Sequence, residues 1–217
     1  MSVLRQNEIS TGDRATLIQE AFRIEYVTIA WMLFEAAVAI GSALAADSLT
    51  LLAFGIDSLI ELISAGVLVW RLAIELRHGQ TFAQSAERRA ARIGGALLFA
   101  LAIYVVGGAV WKLWTQQGGE FSLPGLVVTV LAIPIMYFLS RRKLHLAEAL
   151  GSRALRTDAV ESITCGWLSL VVVAALVAQL LIGAWWVDAV ASLGIVWVLV
   201  REGREAWTGE QCCDHCA

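Results

Sequence analysis

Six long apolar runs, separated by short charged segments, constrain this chain more than any other feature. Each run is about the length a helix needs to cross a hydrocarbon core of roughly 30 Å. They fall at about 24–45, 49–73, 91–114, 122–139, 157–182 and 185–201. Backbone embedded in lipid must satisfy its own hydrogen bonds, so the runs read as helices, and no strand alternation suggests a barrel. Composition agrees. The 217 residues are 59% hydrophobic and 16% charged, against about half and a quarter in soluble domains. The reading is an all-α, six-span integral membrane protein. Residues 1–22 form a cytosolic tail, 23–203 the membrane domain and 204–217 a short second tail. No clear cleavage site marks the first run as a secretory signal.

The basic residues orient the bundle. Arg5, Arg14 and Arg23 precede span 1, and Arg71, Arg77, Arg88, Arg89 and Arg92 join spans 2 and 3. Arg141, Arg142, Lys143, Arg153 and Arg156 join spans 4 and 5, and Arg201 and Arg204 follow span 6. Only Lys112 belongs to the other side. The positive-inside rule places both termini in the cytoplasm of a multi-pass inner or plasma membrane protein. Trp111, Trp114, Trp185 and Trp186 fall near the outer interface, and Trp70 and Trp207 near the inner one, as an anchoring belt does. The basic residues flank spans and form no single exposed face, so nothing marks a nucleic-acid partner.

Acids interrupt the apolar runs. Glu35 lies in span 1, Asp57 and Glu61 in span 2, and Glu161 in span 5, with Asp158 near the start of that span. An ionised carboxylate in hydrocarbon is costly, and no Lys or Arg lies deep in any predicted span to pair with these. A bound cation or protons remain as counter-charge. Asp57 and Glu61 are four apart and share a helix face, as do Glu161 and Cys165. The segments Asp57–Glu61 and Glu161–Cys165 also repeat weakly, each an acid, a serine, an aliphatic residue and a closing ligand-capable side chain. Facing helices would bring three carboxylates and one thiolate together, a donor set suited to tetrahedral Zn²⁺. The competing reading makes Cys165 a small buried apolar group and the acids protonated hydrogen-bonders.

These pairs resemble the signature of the cation diffusion facilitators, six-span metal/proton antiporters with a pair of ligands four apart in spans 2 and 5. The stretches Ala46–Leu49, Thr157–Ala159 and Asp188–Ala189 also look like that family, and the resemblance covers about 24–207. It implies a divalent-cation transporter, not an enzyme, that works by alternating access, with protons as counter-substrate and a homodimer in the bilayer. It also implies a minimal branch without the usual cytosolic domain. The family's span histidines are absent: His78, His145 and His215 lie outside the spans. Zn²⁺ is the expected cargo, with Cd²⁺, Co²⁺, Fe²⁺ or Mn²⁺ open, and no organic cofactor is implied.

Other residues carry weaker expectations. Glu35 and Asp158 are candidates to support the ligands or relay protons. Glu35 equally suits a hydrogen bond between helices. Asp158 and Asp188, at span starts, suit helix N-termini better than metal. Asp47 reads as an outer-loop residue. Cys212, Cys213, His215 and Cys216 crowd the tail as a potential metal-capture site, or as an incidental disordered segment. The alternatives in function are a membrane metal sensor or scaffold without transport, a simple channel, and a membrane hydrolase. The hydrolase lacks a visible nucleophile–base arrangement.

Overall fold

Apolar sequence of this length has one economical solution in lipid, and the computed structural model adopts it throughout the residues it describes, 11–78 and 84–208. The helices are α1 Thr11–Ala46, α2 Leu49–His78, α3 Gln84–Thr115, α4 Leu123–Leu150, α5 Arg153–Ile182 and α6 Val187–Thr208. The chain is thus an all-helical, multi-pass integral membrane protein. Five of the helices, α1 to α5, are long and apolar enough to cross a membrane. In α6, Asp188, Arg201, Glu202, Arg204 and Glu205 bracket or follow a shorter uncharged stretch, 189–200, so it falls below that measure.

Most helices run beyond the predicted spans. The largest difference is between spans 4 and 5, where a basic loop was expected. There α4 continues to Leu150 and meets α5 through Gly151 and Ser152 alone. Gly151 ends α4 at φ 62°, a left-handed conformation that suits glycine, and its N–H bonds back to the α4 carbonyls. Ser152 then caps α5, its hydroxyl accepting from Leu155 N. Arg141, Arg142 and Lys143 therefore stand on a helix. Leu139, Lys143, Leu146 and Leu150 share one buried stripe.

Packing makes α2 and α5 central. Helix α2 touches α1, α3, α5 and α6, and α5 touches α4, α2 and α6. Lipid offers no hydrophobic drive between helices, so close backbone approach and polar contacts must hold them. A buried row of Ala36, Ala39, Ala43 and Ala46 gives α1 a smooth face toward α2. Opposite it, a Cβ on Gly55 would stand 2.7 Å from the Ile40 side chain and 3.0 Å from its backbone nitrogen, so only glycine fits that crossing. Outward, Tyr104, Trp111, Trp114, Trp167 and Trp197 are exposed, as lipid-facing aromatics are.

Candidate cation site

Asp57 and Glu61 lie one turn apart on α2, and Glu161 and Cys165 one turn apart on α5. These helices pack directly. Ser64 of α2 donates to Glu161 Oε2 at 2.9 Å, which ties the two faces together. Asp57 and Cys165 are each 1% exposed, and Glu61 and Glu161 are partly buried. Asp57 Oδ1 and Glu61 Oε1 are sealed from solvent and find no hydrogen-bond donor among the described residues. That is unusual, because buried polar atoms are almost always satisfied. Two orphaned carboxylate oxygens on one helix face suit a cation.

Glu35 of α1 is the third wall. It is fully buried. Its Oε2 accepts from Trp31 Nε1 at 2.6 Å, and its Oε1 from Ser58 Oγ at 2.8 Å and the Cys165 thiol at 3.7 Å. Both readings of Glu35 thus meet at one residue, since it bonds across α1, α2 and α5 and also touches a candidate ligand. Among the described residues, no three His, Cys, Asp or Glu side chains stand in a ready-made metal cage. The candidates take part in two hydrogen-bonded pairs instead, Glu35 with Cys165 and Glu161 with Ser64, while the two orphaned oxygens belong to Asp57 and Glu61.

One acid escaped the sequence reading here. Glu202 of α6 lies within electrostatic reach of Glu61 and Cys165. It sits next to Arg201 and reads as the flank of a span, which hid it. The tail residues Cys212, Cys213, His215 and Cys216 lie outside the described residues.

The remaining acids separate clearly from this group. Asp188, in the first turn of α6, caps a different helix. Its carboxylate accepts from Ser48 Oγ at 2.7 Å, Leu49 N at 2.8 Å and Thr50 N at 3.2 Å, closing the N-terminus of α2. Lys112 adds an ion pair at 3.5 Å and reaches Asp47 at 3.2 Å. Asp47 itself occupies the turn between α1 and α2, at φ 47°. At the Arg-rich end, Asp158 was expected to serve the start of α5, but Ser152 does that. Asp158 instead pairs with Lys143. Lys143 is completely buried in α4, whereas it was expected in the loop joining spans 4 and 5. A second buried acid, Glu25 of α1, stands 3.4 Å from the same ammonium. The i, i+4, i+7 spacing of Leu139, Lys143 and Leu146 was the available signal, obscured because Lys143 ends an Arg-Arg-Lys run.

A comparison with protein families places the chain as a whole. The family model described as the cation efflux transmembrane domain matches residues 26–207. The chain therefore belongs to the cation efflux family, whose members move divalent cations and are not enzymes. Among curated proteins, none matches the chain.

Proposed function

We propose that this protein exports Zn²⁺ by metal/proton antiport, using Asp57, Glu61, Glu161 and Cys165 as the ligands of the transported ion. The observation that carries the reading is the pair of buried, donor-less oxygens on Asp57 and Glu61. An ion could draw Glu161 and Cys165 in from α5, where they now hold Ser64 and Glu35. Three carboxylates and a thiolate suit Zn²⁺ at metal–oxygen distances of about 2.0–2.2 Å, with softer Cd²⁺ as a close competitor. Ligands bind only when deprotonated, so metal and protons compete for the same atoms, and metal entry releases protons. Movement of α2 and α5 against their neighbours would expose the ligands to each side in turn. In the same proposal both termini are cytoplasmic, because in the sequence all the basic residues but Lys112 fall on one side of the predicted spans. The transport unit is a homodimer, which crosslinking in native membrane tests.

Proteoliposomes with an internal pH dye test the function. Zn²⁺ uptake should alkalinise the lumen as protons leave, and Asp57→Ala should abolish both signals. Metal binding without flux would replace the antiporter with a sensor or scaffold. Flux without a pH change would replace it with a channel.

A further inference from the structure

A buried cluster on α1, α4 and α5 lies outside the candidate ligands. Lys143 donates to Asp158 Oδ2 and to Ser162 Oγ, the latter at 3.3 Å. Ser162 hands its own hydrogen to the Asp158 carbonyl at 3.1 Å. Glu25 is 0% exposed, and neither of its carboxylate oxygens accepts a hydrogen bond. Among the described residues its only ion-pair partner is the Lys143 ammonium, 3.4 Å from Oε2 and already held by Asp158. One ammonium thus faces two carboxylates in a buried space. Fully ionised, the cluster carries one uncompensated negative charge, which low-dielectric surroundings penalise heavily. One proton makes it neutral and gives Glu25 a donor of its own.

We propose that Glu25, with Lys143 and Asp158, forms a proton-binding site separate from the metal ligands. Its position gives the proton a use. Lys143 is close enough to sense Glu61 and Glu161, so the charge of the cluster acts on both candidate ligand helices. Empty of its proton, the cluster adds negative potential and favours a cation nearby. Loaded, it is neutral and holds the cation less tightly. Proton and metal then oppose each other without sharing an atom.

The charged groups around Glu25 are accounted for among the described residues. Lys143 approaches from α4 and Asp158 from α5, with Glu61 of α2 and Glu161 of α5 beyond the lysine. Arg142 points to Glu20 at 3.7 Å, on the exposed side. The role of the cluster in coupling rests on the antiport reading, but the existence of the proton site does not.

Infrared difference spectroscopy of the full, metal-free chain in nanodiscs tests it. Spectra in alkaline and mildly acid buffer are compared for the Asp57→Asn/Glu61→Gln/Glu161→Gln variant, which removes the ligand carboxyls. A protonated-carboxyl C=O band should form in acid in that variant and be lost when Glu25→Gln is added. Glu25→Asp, in the same background, should keep a shifted band and serves as the control for folding. A band unaffected by Glu25→Gln, or no band in the ligand-free variant, overturns the proposal and leaves Glu25 a fixed ionic partner of Lys143. Because no metal is present, failure of the transport reading cannot produce either result.

Discussion

The middle of the bundle and its two ends treat acids differently. At each end a lysine meets two carboxylates: Lys112 with Asp47 and Asp188, and Lys143 with Asp158 and Glu25. In the middle, Glu35, Asp57, Glu61 and Glu161 have among them hydrogen bonds from Trp31, Ser58, Cys165 and Ser64, and no direct ion pair with Lys or Arg among the described residues. Each end brings a counter-charge of its own, one lysine for two carboxylates. The middle must receive its positive charge from outside, and a group that alternates between cation and protons suits transport. Buried acids in a membrane protein therefore need sorting by their partners before any is assigned to a pathway.

The contrast can be broken by substitution. Asp57→Asn should reduce metal uptake to the lipid background, a loss of about 100-fold or more, while the melting temperature holds or rises, since removing an unpaired buried charge relieves a penalty. Uptake and thermal unfolding on one preparation check this. Lys143→Met should lower stability instead. It leaves Asp158 and Glu25 uncompensated and should destabilise by about 3–5 kcal/mol, read as a lowered unfolding midpoint, with partial recovery on adding Asp158→Asn.

Acid should act on the middle through its ligands. Lower pH adds protons to atoms that metal needs, so apparent affinity should weaken by about tenfold per pH unit for each proton displaced. Titrations at several pH values give that slope. Asp188→Asn, which keeps its shape but weakens the α2 cap, should lower stability by about 1 kcal/mol and leave metal affinity unchanged. Cys165→Ser should have the smallest effect, a few-fold loss of preference for Cd²⁺ over Mn²⁺ in competition uptake, because a hydroxyl is the harder donor.

The sequence made the bundle and the middle acids legible for one reason. Hydrophobic length identifies a span without knowledge of its neighbours, and a carboxylate inside one stands out. The spacing of Asp57 and Glu61, and of Glu161 and Cys165, needed only helical geometry. Partners across helices could not be read that way. Asp188 lies at the start of α6 but caps α2, and Asp158 lies near the start of α5 but binds a lysine of α4. Both roles depend on which helices touch. Lys143 was hidden by a local cue that pointed the wrong way, since a basic triplet after an apolar run normally marks the membrane surface. Here the helix carries it inward on its Leu139–Leu150 stripe. Glu25, within the first run but near its start, became conspicuous only beside that lysine.

Equilibrium dialysis of radioactive Zn²⁺ against detergent-solubilised protein tests the difference between middle and ends most directly. The wild type, Asp57→Asn, Glu161→Gln and Asp188→Asn chains are compared at neutral pH. The account predicts saturable binding that is lost in Asp57→Asn and Glu161→Gln and retained in Asp188→Asn. Binding that survives Asp57→Asn, or that disappears only with Asp188→Asn, would contradict it.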